Sequence, residues 1–173
     1  GWGGGSPLES VEAYDPQLGA WALVAIMSQK RDSHASVVLD GKIYAIGGHD
    51  GAGFLDMVEV YDPQADSWQW VASMPQRLHS HAAAVMGGKI YVTGGFNQVG
   101  SLNSVCVYDP RANAWTQLAS MGTTRRLHAS AAVGGKLYVF GGVGAEDEYL
   151  STAEVYDPAS NSWAQVTNLT SAR

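Results

Sequence analysis

Residues Gly41–Met74 read GKIYAIGGHDGAGFLDMVEVYDPQADSWQWVASM. The same wording returns as GKIYVTGGFNQVGSLNSVCVYDPRANAWTQLASM at Gly88–Met121, and as GKLYVFGGVGAEDEYLSTAEVYDPASNSWAQVTNL from Gly135. The Tyr-Asp-Pro triplets begin at Tyr14, Tyr61, Tyr108 and Tyr156, in steps of 47, 47 and 48 residues. Trp21, Trp68, Trp115 and Trp163 keep those steps, and Gly47, Gly94 and Gly141 each open a Gly-Gly pair. A fixed period of this length marks a repeat architecture, in which a unit buries its apolar face only against its neighbours. One unit is used about three and a half times.

Each unit divides into four strands. The first covers His34–Leu39, then Ala82–Met86 and Ala129–Val133 in the following units. The second, Lys42–Ile46, is apolar on both of its alternating sides and is expected to be covered on both. Met57–Tyr61 and Trp68–Ala72 supply the third and fourth. Helical periodicity is absent over any useful length, so the chain is all-β. Asp40-Gly41, Gly87-Gly88 and Gly134-Gly135 suit two-residue hairpins with positive φ. DPQADS, DPRANA and DPASNS form the second kind of short turn, with proline setting the first φ. The other two connections vary from unit to unit. They are HDGAGF, FNQVGS and VGAEDEY between second and third strands, and SQKRDS, PQRLHS and GTTRRLH between units. In an up-and-down antiparallel sheet both variable loops emerge on the same edge, and the short turns emerge on the other.

Composition narrows the function classes. A net charge of -6 argues against a nucleic-acid surface, which needs a clustered basic face. Cys106 is the only cysteine, so no intrachain disulfide forms; this points to a reducing, cytoplasmic setting. No apolar run approaches the roughly 20 residues of a membrane span, and GWGGGSPLES has neither the basic start nor the apolar stretch of a signal peptide. The glycine run Gly3–Gly5 is not a phosphate loop, because no Lys-Ser/Thr pair and no helix follow it.

Gly-Gly closing one strand, Tyr-Asp-Pro closing another and Trp a few residues later, at a period near 47, resemble the kelch repeat, most closely that of the BTB–kelch adaptors. The resemblance implies a β-propeller of four-stranded antiparallel blades around a central channel. On this reading residues 1–30 hold the last two strands of a partial blade, and 31–77 and 78–124 are whole blades. Residues 125–173 are a third blade and the start of the next. The expectation is an incomplete arc of a six-bladed propeller.

Repetition within one chain also separates scaffold from function. His34, His81 and His128, one per unit at one position, read as structural. His79 and His81 form a His-x-His pair, half of the ligand count that a closed metal site needs. Glu146-Asp147-Glu148 reads as a solvated loop tip rather than an acid–base pair. Cys106 stands where other units have Glu12, Glu59 and Glu154, and reads as a small buried apolar residue. No nucleophile signature is present, so the chain is read as a non-enzyme without cofactor or metal.

The residues that differ between units on the variable-loop face remain as the partner-binding candidates. In kelch adaptors an arginine at the opening of a blade lines the peptide pocket, which the resemblance carries to Arg31 and Arg125. Leu78 takes this position in the middle unit, with Arg77 one residue earlier, and Arg126 follows Arg125. His49, Asp50, Phe54, Phe96, Asn97, Gln98, Glu146 and Tyr149 complete the expected rim. Arginine forks beside aromatic rings suit an acidic peptide motif. The resemblance implies a substrate receptor of a cullin-type ubiquitin ligase, joined through a BTB domain outside this chain. An actin-associated scaffold and a kelch-fold enzyme acting on a small molecule or sugar are the alternatives.

Overall fold

The computed structural model describes residues 1–173 and contains three four-stranded antiparallel sheets, each a simple meander, and no helix. The first sheet holds strands Ala35–Leu39, Lys42–Ile46, Val58–Asp62 and Ser67–Val71. The next holds Ala82–Met86, Lys89–Thr93, Val105–Asp109 and Ala114–Gln117. The last holds Ala129–Val133, Lys136–Phe140, Ala153–Asp157 and Ser162–Val166. Ahead of them Val11–Asp15 pairs with Ala20–Val24 as a two-stranded sheet. In the first complete unit the strand limits lie within one residue of the positions expected from the repeat. Two short ladders go beyond that expectation: Trp2–Gly3 with Ser6–Pro7, and Phe96–Asn97 with Gly100–Ser101.

The first strands of successive sheets lie beside one another, which puts them on the inside of the arc. The core lies between sheets rather than within them. Leu39, Tyr44, Ile46, Val58 and Met74 pack on Leu78, Ile90, Val92, Cys106 and Tyr108 of the following blade. Ala84, Met86, Tyr91 and Val107 then pack on Leu137 and Tyr156. The middle blade is sandwiched, and its second strand is buried from Ile90 to Thr93 on both faces. In the blade before it Ile43 remains 36% exposed, because the two-stranded sheet covers less of that side.

The recurring Tyr-Asp-Pro and Trp residues build a clamp between blades. Asp66, Asn113 and Asn161 take left-handed φ values of 44°, 46° and 47°, which short polar side chains tolerate. Their Oδ1 atoms accept from the hydroxyls of Tyr61, Tyr108 and Tyr156 at 2.7–2.8 Å. The same oxygens accept backbone N–H groups of Ala25, Ala72 and Ala119 in the preceding blade. Trp68, Trp115 and Trp163 donate their indole N–H to the carbonyls of those three alanines at 2.7–2.9 Å. Each blade therefore grips both polar groups of one residue in its predecessor.

The Gly-Gly pairs have a steric cause. Gly47 has φ +57° and Gly48 φ +102°. A Cβ on Gly47 would stand 2.8 Å from the Leu78 carbonyl oxygen, and one on Gly48 2.9 Å from the His34 Cβ. The once-per-unit histidines are thus packed against glycines, as their repetition suggests. Desolvation pushes the pKa of His34 down to about 4 and those of His81 and His128 to about 3, so all three are neutral. His128 hydrogen-bonds Thr93 Oγ1 at 2.8 Å.

Candidate partner-binding face

Both variable loops do emerge on one edge, and there they zip together. Short bridges join Asp32 to His49, His79 to Phe96 and Arg126 to Val143, each linking a blade's opening to its own second loop. A backbone chain crosses between blades: Ser80 N–H donates to Ser33 O, and Leu127 N–H donates to Ser80 O, both at 2.8 Å. Ser33, Ser80 and Leu127 hold left-handed φ values of 49°, 56° and 54° to make these bonds. Asp32, His79 and Arg126, each one residue earlier, therefore occupy equivalent places in three neighbouring blades.

Around them lies a continuous strip of rings. Phe54 stacks on His79 with centroids 4.8 Å apart, and Phe96 meets His79 edge-on at 5.6 Å. His49 packs on Phe54 at 5.6 Å. The Arg126 guanidinium lies 5.0 Å above the Phe96 ring and forks to Ser101 Oγ and the Asp147 carboxylate. At the other end His49 Nδ1 accepts from Gly51 N–H at 3.0 Å, so its 4.0 Å approach to Asp32 is not a hydrogen bond. Asp32 Oδ2 is shut off from solvent and has no hydrogen-bond partner. Burial and the charges of His49 and Arg126 lower the His79 pKa, favouring its neutral form.

The candidate residues divide into three groups. His49, Phe54, Phe96 and Arg126 meet in this strip. Asp50, Arg77, Asn97, Gln98, Glu146 and Tyr149 surround it on the loops without joining the ring contacts. Asp50 caps its own turn through the N–H groups of Ala52 and Gly53, which hold its carboxyl below the usual range. Asn97 Oδ1 caps Val99 in the same manner, and Tyr149 is 71% exposed.

Arg31 and Arg125 form the third group and are a correction: both are fully buried and do not reach the rim. Arg31 donates to the Gly47 and Met57 carbonyls and pairs with Glu59 at 2.7 Å. Arg125 donates to the carbonyls of Gly141 and Thr152 and pairs with Glu154 at 2.8 Å. Each glutamate also takes two backbone N–H groups, from Ser28 and Gln29 or from Gly122 and Thr123. These arginines tie the start of a blade to its third strand and are scaffold. In the middle blade Leu78 replaces the arginine, Cys106 the glutamate and Pro75 the first N–H donor, so the whole polar network is exchanged for an apolar contact. Burial raises the Cys106 thiol to about 12, which leaves it an inert core residue.

The repeat did not disclose the roles of Asp32, His79 and Asp147. His79 and His81 sit two apart, yet His81 is buried beside Gly47 and Gly95 while His79 belongs to the rim. Aligning the positions before the left-handed residues Ser33, Ser80 and Leu127 is the signal that would have placed Asp32 and His79 beside Arg126.

Four-stranded meanders stacked face to face, with Gly-Gly, Tyr and Trp in these roles, define a kelch-type β-propeller arc. The match extends to a family model: residues 13–173 fit that of the Attractin/LZTR1 beta-propeller, and the chain belongs to this family. Among curated relatives, Kelch-like protein 1 of Mus musculus is 43% identical over 44 residues, which is 25% of this chain and 6% of the relative. Kelch-like protein 5 of Homo sapiens is 44% identical over 46 residues, 27% of this chain and 6% of the relative. The Kelch repeat and BTB domain-containing protein F47D12.7 of Caenorhabditis elegans is 47% identical over 51 residues, 30% of this chain and 9% of the relative. Each match spans about one blade, and under a tenth of the relative. A solved structure described as that of YjhT superposes with TM-score 0.80 at 17% identity, covering 96% of this chain and 67% of the other; the likeness is one of fold.

Proposed function

We propose that the chain is a non-enzymatic binding module that captures a segment of a protein partner on its variable-loop face. The observation that carries this reading is the half-buried strip of His49, Phe54, His79, Phe96 and Arg126, spread over three blades. Aromatic rings and an arginine, partly desolvated beside polar loops, are the residue types that dominate binding energy at interfaces. The short turns on the opposite face repeat almost unchanged and present no such strip. The kelch-type family and the Kelch-like relatives support a protein-interaction role.

A finer proposal follows from the same relatives: the whole protein acts in the cytoplasm as a substrate receptor for a cullin-type ubiquitin ligase. An actin-associated scaffold is the alternative within the binding class, and actin co-sedimentation separates the two. The main test is affinity capture by the full protein, comparing wild type with Phe54→Ala/His79→Ala/Phe96→Ala and with Lys42→Ala on the turn face. Partners should be lost from the triple variant and kept by Lys42→Ala. An unchanged partner set for the triple variant would rule out this face.

A further inference from the structure

We infer that the segment captured on this face is basic, a lysine- or arginine-bearing peptide; this rests on the loop face being the binding face. Burial of Arg31 and Arg125 against Glu59 and Glu154 removes two of the positive charges that would have favoured an acidic partner. What remains on the variable loops of the three complete units is Lys30, Arg77 and Arg126 against Asp32, Asp50, Asp56, Glu146, Asp147 and Glu148. Arg126 is already committed to Asp147. The face is acidic and aromatic, and its charge complement is a cation.

A cavity of about 350 Å³ shows where that cation fits. Its lining includes Phe54, Leu55 and Met57 together with Asp50, Asp56 and Arg77. Asp50 receives the N–H groups of Ala52 and Gly53, which hold its carboxyl below the usual range, and its other oxygen accepts from Gln29 Nε2 at 3.1 Å. Asp56 is approached only by Arg77, whose Nε stands 3.7 Å away on a side chain that is 67% exposed. That is a loose counter-ion at a surface where such pairs are weak. The same face already shows how it holds a guanidinium: Arg126 lies on a phenylalanine ring and reaches a loop carboxylate. On Phe54 the equivalent place over the ring is taken by His79, and the cavity beside it brings the rest of Phe54 together with the Asp56 side chain.

On this account Arg77 competes with the partner for Asp56, and the sign of its removal decides the matter. Fluorescence anisotropy with the full protein would compare three labelled peptides of equal length, Lys/Arg-rich, Asp/Glu-rich and uncharged, each carrying one aromatic residue. The basic peptide should bind, and more weakly as salt rises. Asp56→Asn should weaken it roughly tenfold. Arg77→Ala should tighten it about threefold. Asp40→Asn, on the turn face, removes the same charge and should leave binding unchanged. Thermal unfolding of each variant confirms that the fold is kept. Preference for the acidic peptide, weaker binding by Arg77→Ala, or equal effects of Asp40→Asn and Asp56→Asn would overturn the inference. So would failure of all three peptides. In each case, loss of captured partners from the Phe54/His79/Phe96 variant would still uphold the binding face itself.

Discussion

The chain holds two solutions to one packing problem, and exchanging them tests the account of the buried arginines. In the last blade, Arg125→Leu leaves the Glu154 carboxylate buried with only the N–H groups of Gly122 and Thr123. Removing one member of a buried pair costs about 3–5 kcal/mol, because the other charge stays desolvated. Adding Glu154→Cys copies the Leu78–Cys106 contact and removes that charge; the remaining cost is one or two orphaned N–H groups, about 1–3 kcal/mol. Gly122→Pro then removes one of those donors, as Pro75 does in the middle blade. The Cβ it introduces would otherwise stand 3.1 Å from Glu154 Oε2, a contact that the cysteine abolishes. The expected order of stability is wild type, triple, double, then Arg125→Leu alone, with a coupling energy of at least about 3 kcal/mol between residues 125 and 154, because either single leaves the other charge buried. Urea unfolding followed by tryptophan fluorescence measures it, provided the denaturant slope is unchanged among variants. If Arg125→Leu costs under about 1 kcal/mol, or the double variant costs the sum of its singles, the arginine is not a buried structural ion.

Two further outcomes follow from the glycines and histidines. Gly47→Ala should cost more than about 2 kcal/mol, because its φ of +57° is joined to a contact with the Leu78 carbonyl; Gly41→Ala, at φ +74° in open space, should cost about 1 kcal/mol. Comparable losses for the two would refute the close-approach argument. His34, His81 and His128 have folded pKa values of about 4, 3 and 3, below the unfolded value near 6.5. Below pH 6.5 the unfolded chain takes up protons that the folded chain refuses, so stability falls as pH drops towards 4. The slope is at most about 1.4 kcal/mol per pH unit for each histidine. Melting temperature should decline from pH 7 to 5, and less steeply in His81→Leu; a flat profile would contradict neutral, buried imidazoles.

The architecture was legible because the interactions that build it recur. Tyr61, Tyr108 and Tyr156 meet the same turn residue, and Trp68, Trp115 and Trp163 the same alanine, so one period in the sequence is one set of bonds. The candidate site was only half legible, because its contacts are made between units. Phe54, Phe96 and Arg126 could be assigned to one face from loop position. That His79 lies between the two rings depends on how neighbouring blades stagger, which no single unit records. Arg31 and Arg125 look like surface residues when read alone. Their burial is written in the middle unit, where Leu78 and Cys106 change together, and a lone arginine position does not reveal its glutamate.

The clamp has a direction, and that bears on how the chain is made. Ala25 is gripped by residues 41 and 43 positions later, and Ala72 and Ala119 by residues 41 to 44 positions later. Synthesis proceeds from the N-terminus, so the outer strand of a blade can form early but is fastened only when most of the following blade has left the ribosome. At every moment during translation the newest blade is the loose one, and each arrival secures the one before it.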